Sequence, residues 1–288
     1  MSRKQAELLL AAVISIRATS YLFSKTALQS MEPFNLLAVR FLLAFVFLCF
    51  VTRKRLKGLK PKTVCRGMAL GGAFFLTMGC EMLGLLTTDS SVTSFLENTA
   101  VVIVPLLQAV ILRRFPKPVI IISGMVTLTG IGFLTLQGSG EFQFAAGQLF
   151  CMGAACFYAA AIILTDRFSR EDDPLVLGVL QVGFIGIFSL LATLIFEQPH
   201  LPSQPAVWGA VAVLAFICTG LGFTLQPVAQ RGTTAERAGL FCALNPLTAT
   251  VIGVLVLHEN FGLQSLIGGA LVFAGIILSK LGDRKRNS

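Results

Sequence analysis

Charged residues are scarce in this sequence. Asp, Glu, Lys and Arg make up 13% of its 288 residues, about half of the roughly 25% that soluble domains carry. Hydrophobic residues make up 55% and the mean hydropathy is +0.81. This balance excludes an ordinary soluble domain and indicates a protein that crosses a membrane several times.

Motifs for catalysis and for metal binding are also missing. The sequence has no Walker loop, HExxH, GxSxG or calcium-loop pattern, and its two histidines, His200 and His258, fall in predicted loops. Its seven cysteines form no CxxC pair and no zinc-type spacing, so we interpret them as small buried hydrophobic residues. We therefore predict no enzyme, no cofactor and no bound metal. Without an ATP site, transport is expected to use a gradient of protons or of the solute itself.

Apolar runs divide the chain into ten predicted transmembrane helices, so the predicted fold class is an all-α membrane protein. Each run approaches the roughly 20 residues that cross a hydrocarbon layer about 30 Å thick. The first run imitates a signal peptide, but Arg17 interrupts it before a cleavage site, and we expect an uncleaved helix. The ten predicted spans are residues 6–28, 33–52, 65–87, 90–112, 118–136, 146–165, 174–196, 205–228, 234–257 and 261–279.

Basic residues mark one side of the predicted membrane. The net charge is +9, and twenty of the 23 Lys and Arg residues fall at the two termini or in every second loop. The intervening loops carry Glu32, Asp89, Glu141, Glu197 and Glu259 and no Lys or Arg. Under the positive-inside rule, both termini lie in the cytoplasm of a bacterial inner membrane. This placement accounts for the positive charge without nucleic acid, which we do not expect as a partner.

One helical-hairpin pattern occurs twice in the chain. A Pro-containing helix (residues 104–106 and again 245–247) precedes a helix with Gly, five residues, and then Gly-Ile (124–131 and again 269–276). We therefore predict two five-helix repeats, residues 1–140 and 141–288. Because five is odd, the second repeat enters the membrane from the opposite side, and the repeats are inverted. Inverted repeats place a site near mid-membrane and are typical of transporters that work by alternating access.

The closing stretch, LNPLTATVIGVLVLHENFGLQSLIGGALVFAGIIL (244–278), resembles the last hairpin of the EamA-type repeats of the drug/metabolite transporter superfamily. The stretch ATSYLFSKTAL (18–28), the pair Arg40-Phe41 and the ten-helix plan are similar as well. This resemblance implies a transporter of amino acids, other metabolites or drug-like organic solutes. The family commonly has Trp-Gly in the first helix where this sequence has Arg17-Ala18, which adds a charge at that position.

Five ionisable residues lie inside predicted spans of the first repeat: Arg17, Lys25, Arg40, Glu81 and Glu97. At about 1.5 Å per residue, Arg17 lies near the midplane, whereas Arg40 and both glutamates lie roughly 10 Å below the outer surface. A charge at the bilayer centre costs about 2.5–3.5 kcal/mol on insertion scales, so these groups should face a cavity or one another. Arg40 with Glu81 or Glu97 is then either a fixed ion pair between helices or part of a substrate site.

In the substrate-site interpretation, Arg17 and Arg40 bind a carboxylate or another anion. Glu81 or Glu97 attracts an ammonium group or titrates as a coupling site, so a zwitterion satisfies both signs. Other polar residues within spans are candidates either for lining the cavity or for hydrogen bonds between helices. They are Tyr21, Asn98, Tyr158, Gln181 and Asn245.

Pro105 and Pro246 occupy matching helices of the two repeats. Each proline removes one backbone hydrogen bond from its helix. Each is therefore a candidate hinge or, alternatively, a static bend that widens the cavity.

These features together predict a secondary-active transporter, with export of small amphipathic metabolites such as amino acids as the first hypothesis. A carrier for drugs or other organic solutes, working by efflux or uptake, is the alternative within transport. A non-transporting membrane scaffold or receptor is the alternative of another class, and a lipid-modifying enzyme ranks third. The expected partners are a small-molecule substrate, the lipid bilayer and, as a candidate coupling ion, the proton. A monomer is compatible with the sequence.

The topology can be tested by cysteine labelling. In a background without the native cysteines, we expect an impermeant thiol reagent on intact cells to label cysteines placed at Glu141 and His258. Cysteines placed at Lys57 and Arg114 should stay unlabelled, because the positive-inside rule puts them in the cytoplasm. Labelling at position 57 or 114 would overturn the orientation.

Overall fold

The computed structural model describes residues 2–85, 90–113, 116–135, 146–248, 251 and 263–284. These residues form helices and connections, with no β-strand among them. The helices are α1 (Arg3–Ala18), α2 (Ser20–Ala27), α3 (Pro33–Thr52), α4 (Pro61–Leu85), α5 (Ser90–Asn98), α6 (Ala100–Leu112), α7 (Pro118–Thr135), α8 (Ala146–Glu171), α9 (Pro174–Phe196), α10 (Pro205–Val213), α11 (Thr224–Gln230), α12 (Ala235–Cys242) and α13 (Leu263–Arg284), with a π-helix at Leu214–Phe223 between α10 and α11.

The predicted all-α membrane fold class is confirmed, and each of the ten predicted spans falls on at least one described helix. In the described part of the chain, five helices are long and apolar enough to cross a membrane: Pro33–Thr52, Pro61–Gly84, Gly147–Glu171, Pro174–Phe196 and Pro205–Gln230. Shorter apolar helices cover Phe95–Ile111, Pro118–Leu134 and Leu266–Ser279.

Proline fixes the start of several helices, because its missing N–H has no partner to lose in the first turn. The predicted starts at Pro33, Pro118, Pro174 and Pro205 are those of α3, α7, α9 and α10. The predicted start at Cys65 is four residues late, because α4 begins at Pro61.

Three spans are interrupted rather than continuous. Span one breaks at Thr19, span four at Thr99 and span nine at Ala243. At the first two breaks the threonine hydroxyl donates to the carbonyl three residues earlier, Ile16 at 2.7 Å and Leu96 at 2.6 Å. A side chain that takes a backbone acceptor in this way competes with the regular helical hydrogen bonds, which explains why the helix stops there.

The described residues divide into two compact units. Unit 1 comprises Met1–Leu76 and Leu164–Thr233, and unit 2 comprises Thr77–Ile163 and Thr234–Ser288. Each unit takes helices from both halves of the sequence. The compact units therefore follow a different division from that of the repeats, whose boundary at 140/141 stays a prediction.

Unit 1 is built around the antiparallel pair α3 and α9. A Cβ atom at Gly183 would lie 2.6 Å from the Phe45 ring, and one at Gly186 would lie 3.0 Å from the Leu42 side chain. The first residues of the two helices, Pro33 and Pro174, are 141 positions apart in the sequence. Leu42 and Gly183 are also 141 positions apart, as are Phe45 and Gly186. The two contacts are therefore equivalent under the inverted repeat, and glycine on α9 makes room for the larger side chains of α3.

Unit 2 is built around the antiparallel pair α7 and α13. A Cβ at Gly130 would lie 2.7 Å from the Gly268 carbonyl oxygen, and one at Gly275 would lie 2.8 Å from the Ser123 carbonyl oxygen. Gly130 and Gly275 are 145 positions apart in the sequence. Ser123 and Gly268 are separated by the same number of positions. The two close approaches are again equivalent, as expected where apolar burial alone does not hold helices together in lipid.

One end of unit 1 is tied together by charged groups. Arg66 of α4 donates to Asp172 at 2.5 Å and also to Glu171, and Thr63 donates to Asp172 at 2.8 Å. Burial acts to raise the pKa of Asp172, but the hydrogen bonds from Arg66 and Thr63 outweigh it and lower that pKa below its usual value. The carboxylate therefore stays charged near neutral pH. This cluster is called the Asp172 end of unit 1.

The glycine contacts of unit 2 give a direct test. Gly130→Ala and Gly275→Ala should each lower the melting temperature of the purified protein, because a methyl group placed against a backbone carbonyl forces the helices apart. Overpacking of this kind costs about 1–3 kcal/mol. The loss should be the larger for Gly275→Ala, because its Cβ would also overlap the Thr127 hydroxyl. Gly209→Ala in α10 is the control, because a Cβ there meets no atom within 4 Å. Equal melting temperatures for the control and either test variant would contradict this packing.

Candidate functional site

Arg17 is held inside unit 1 by neutral groups. Its Nη1 donates to the side-chain oxygen of Gln226 at 2.5 Å. The centre of its guanidinium lies 4.0 Å from the centroid of the Phe223 ring and 5.8 Å from that of Phe74. Both distances fall within the range of cation–π attraction. The amide and the rings orient the guanidinium.

The rings around Arg17 belong to an aromatic cluster. Phe223 meets Phe41 edge-on at 5.2 Å and Phe74 edge-on at 5.5 Å between ring centroids. All three phenylalanines are at least 97% buried. Such edge-to-face pairs favour one arrangement of the rings, so α1, α3, α4 and the end of the π-helix are fixed around one guanidinium.

The π-helix determines where Phe223 lies. It runs for ten residues, LAFICTGLGF, and π-helical turns occur often at functional sites. A Cβ at Gly222 would lie 2.7 Å from Arg17 Cγ, so only glycine leaves room for the arginine side chain in this conformation. Gln181 of α9 donates to the Phe223 carbonyl at 3.1 Å, and a Cβ at Gly178 would lie 2.8 Å from Thr224 Cα. Helix α9 is therefore pressed against the end of the π-helix.

Arg40 and Tyr21 are the other predicted site residues of unit 1. Arg40 is 2% exposed; it approaches the Ser24 hydroxyl at 3.5 Å, and its guanidinium lies 4.8 Å from the Phe41 ring centroid. It thus joins the aromatic cluster that holds Arg17, through Phe41. The backbone of Tyr21 belongs to α2, and its side chain lies outside the described residues.

Glu81 and Glu97 lie in unit 2, where both are at least 91% buried. Both carboxylates are close enough to Cys151 of α8 to act on its thiol electrostatically. The thiol of Cys151 also approaches the Thr93 hydroxyl at 3.5 Å. The structure therefore places the two predicted carboxylates in the same unit. Their pairing with Arg40, which belongs to unit 1, stays a prediction.

Tyr158, Asn98 and Asn245 also belong to unit 2. The Tyr158 hydroxyl lies 3.1 Å from the sulfur of Cys242 and joins α8 to α12. Asn98 is 3% exposed and ends α5. Asn245 is half-buried, and its side-chain oxygen has no hydrogen-bond partner among the described residues. A buried amide oxygen without a partner is a candidate contact for a polar ligand.

The candidate hinges Pro105 and Pro246 each lie just after an interruption. The break at Thr99 precedes Pro105, and the break at Ala243 precedes Pro246 by three residues. A proline makes the preceding turn easier to disrupt, because the hydrogen bond to the carbonyl four residues earlier is missing. Motion at these positions stays a prediction.

Sequence reasoning missed the groups that hold Arg17. Gln226 and Phe223 lie in span eight, 209 and 206 positions away along the chain, and no local pattern connects them with α1. The π-helix was also missed, although Gly220 and Gly222 within an apolar span are a sign of close helix approach. Three-dimensional packing is needed to find both.

The contact between Arg17 and Phe223 can be measured by a double-mutant cycle. Arg17→Met and Phe223→Leu keep most of the volume but remove the cation or the ring. We expect a coupling free energy of about 0.5–2 kcal/mol in melting experiments, the range of a cation–π contact. The control cycle combines Arg17→Met with Phe216→Leu, because the Phe216 ring packs edge-on against Phe47 at 5.2 Å. Equal coupling in the two cycles would show that Phe223 does not hold Arg17.

Comparison with known proteins gives the family. The model of the EamA-like transporter family matches residues 4–136 and again residues 145–281. An uncharacterized transporter of Archaeoglobus fulgidus is 28% identical over 98% of this chain and 87% of its own length. The uncharacterized transporter YetK of Bacillus subtilis is 25% identical over 94% of this chain and 85% of its own.

A solved crystal structure shows the same fold. It superimposes with a TM-score of 0.83 and covers 100% of both chains at 19% sequence identity. The two family matches together span nearly all of the sequence, and the relatives extend over almost the same length. The chain belongs to the EamA-like transporter family.

Proposed function

We propose that this transporter is a secondary-active exporter of small amphipathic metabolites such as amino acids, and that it works by alternating access. The observation that carries the proposal is the position of Arg17. This arginine is the fifteenth residue of α1, in the first predicted span, and it is half-buried, with Gln226 and Phe223 fixing its guanidinium.

The energetics favour a binding role for Arg17. A guanidinium near the bilayer centre costs about 2.5–3.5 kcal/mol on insertion scales, so such residues are retained mainly where they serve a pathway or site. A planar guanidinium offers five donors and binds a carboxylate through two parallel hydrogen bonds. Gln226 takes one donor and the Phe223 ring covers one face. Together with the preference of guanidinium groups for carboxylates, this fixed orientation supports recognition of an acidic group.

The surroundings favour an amphipathic solute rather than a small inorganic anion. Phe74 and Phe223 place apolar rings beside the guanidinium. In unit 2, Glu81 and Glu97 are buried carboxylates suited to an ammonium group or to a coupling proton. We propose that unit 1, through Arg17, binds the acidic group of the solute. The remaining site candidates, Tyr21, Asn98, Tyr158, Gln181 and Asn245, are proposed to line the path.

The proposed cycle follows from the inverted repeats. The equivalent contacts within α3·α9 and within α7·α13 support a molecule whose two ends can exchange roles. We propose a bacterial inner membrane location with both termini in the cytoplasm, because the basic residues cluster in alternate loops. In this orientation the Asp172 end of unit 1 faces the cytoplasm. No chemical conversion of the solute is part of the proposal.

A carrier for drugs or other organic solutes remains the alternative within transport, because two phenylalanine rings beside a cation also suit an aromatic acid. A scaffold or receptor is the alternative of another class. Buried charges in both units argue against it, because a purely structural protein gains little from them.

The role of Arg17 can be tested by restoring the residue that is common in the family. We expect Arg17→Trp to shift preference from carboxylated solutes toward neutral or cationic aromatic ones, because a cation repels cations and binds carboxylates. The measurement is proteoliposome flux of a carboxylated compound and of its amide analogue.

Arg17→Lys keeps the charge but loses the two parallel donors, so it should keep part of the preference for the carboxylate. Arg17→Met removes the charge without adding the volume of a tryptophan, and it should also lose the preference. If the ratio of the two fluxes is the same in all four proteins, Arg17 is not a recognition residue.

A further inference from the structure

The end of unit 1 opposite the Asp172 end is held by a different set of groups, here called the His200 end. The Glu197 carboxylate accepts hydrogen bonds from the backbone N–H groups of Phe34 and Asn35, at 2.9 and 2.7 Å. These N–H groups begin α3, where the helix dipole favours a negative charge. Glu32 accepts from the Gln198 N–H at 3.2 Å. Two carboxylates therefore tie the α2–α3 turn to the chain that follows α9.

His200 lies between these two segments. Its Nε2 is 3.2 Å from the Ser30 carbonyl oxygen, and its Nδ1 is 2.9 Å from the Gln198 carbonyl oxygen. Asn35 donates to the His200 carbonyl at 2.8 Å, and its side-chain nitrogen lies 3.0 Å from Nδ1. A neutral imidazole donates from only one nitrogen, whereas the imidazolium donates to both carbonyls. Protonation at Nδ1 ends the hydrogen bond that this nitrogen can accept from Asn35, while Asn35 keeps its bond to the His200 carbonyl and Nδ1 gains the Gln198 carbonyl.

The electrostatic surroundings act in the same direction. Hydrogen bonds to the carbonyls of Gln198 and Ser30 raise the pKa of His200, and the carboxylates of Glu32 and Glu197 add to that effect against a small opposing effect of burial. Among the described residues, these two glutamates are the charged groups that face the ring, one from the α2–α3 turn and one from the end of α9. The side chain is exposed, so protons reach it from solvent.

The two ends of unit 1 are related by the repeat but differ in chemistry. Both α3 and α9 begin with an acidic residue and proline, Glu32-Pro33 and Asp173-Pro174. At the Asp172 end, Asp173 pairs with Arg55 at 3.2 Å, and arginine keeps its charge throughout the physiological pH range. At the His200 end the cation is a histidine, which titrates within that range. Only the His200 end therefore responds to protons near neutral pH.

We propose that His200, with Glu197, Glu32 and Asn35, is a proton-binding site that closes its end of unit 1 and thereby makes the transport cycle responsive to pH on that side. The link to transport rests on the proposed function and on its orientation, in which this end faces outside. The titration itself rests on neither.

The sign of the effect follows from linkage. Because the folded-state pKa of His200 is raised above the ordinary value of 6.5, its protonation stabilises the folded His200 end. That contribution is fully present below about pH 6.5 and is lost as the pH rises through the raised pKa. Acid outside then holds this end closed, and alkaline conditions release it.

The titration can be read directly, because the chain has only two histidines. In full-length protein with isotope-labelled histidine, NMR should give a His200 midpoint above 6.5, assigned with the variant His258→Gln. Glu197→Gln should lower that midpoint, because it removes a facing negative charge. Asp166→Asn is the matched control in the same unit, since Asp166 pairs with Arg170 at 2.8 Å instead, and it should leave the midpoint unchanged. A wild-type midpoint at or below 6.5, or no response to Glu197→Gln, overturns the proposal.

The effect of protonation on the stability of the His200 end needs a second measurement. The melting temperature at pH 6 minus that at pH 8 should be larger in the wild type than in His200→Gln by about 2 °C or more. Trp208, the single tryptophan, lies in the first turn of α10 beside this connection, and its emission should change with the same midpoint as His200. If the difference in melting temperature between pH 6 and pH 8 is equal in the two proteins, the proposal that protonation closes the His200 end is wrong. Tryptophan emission that is independent of pH in the wild type would also overturn it.

A flux assay separates this inference from the proposed function. If carboxylated solutes are transported and external pH changes the flux equally in wild type and His200→Gln, the coupling is wrong while the proposed function stands. If no carboxylated solute moves but His200 titrates as expected, the proposed function fails and the proton site stands.

Discussion

A guanidinium inside a membrane span needs a polar or π-rich environment, and much of unit 1 is arranged to provide one for Arg17. The Gln226 amide and the Phe223 ring hold it directly, and Phe41 and Phe74 hold Phe223. The π-helix places Phe223, while glycine at position 222 leaves space for the arginine stem. The charged N–H donors of a guanidinium raise the free energy of placing it in lipid. The same donors are the ones that bind a carboxylate.

The inverted repeat explains how both units are built. In each unit one antiparallel helix pair, α3 with α9 or α7 with α13, makes two equivalent close contacts at glycine. The same symmetry supports the proposed alternating access, in which the two ends of the protein exchange roles. The symmetry is broken by chemistry. Arginine pairs close the Asp172 end, whereas His200 and two glutamates close the other, so the two ends respond differently to protons.

The fold class, the ten spans and most helix starts could be predicted, because apolar length and proline position are local properties of the sequence. The ionisable candidates were also recognisable, since charge within an apolar run is visible without a structure. The break at Thr19 was not predicted, because a single side-chain hydrogen bond decides it. The break at Ala243 has no local sequence signal either. The partner of Arg17 could not be predicted either, since Gln226 is 209 positions away and only helix packing brings it near.

The central claim is that Arg17 recognises the carboxylate of an amphipathic solute. The most direct measurement is the melting temperature of the purified wild-type protein with a panel of amino acids, their carboxamides and the amines that lack the carboxyl group. A ligand that binds only the folded protein stabilises it, by about 2.7 kcal/mol at a hundred times its dissociation constant. The account predicts that at least one acid raises the melting temperature and that its amide and amine do not. A shift of equal size with the amide or the amine, or no shift with any acid, would contradict it.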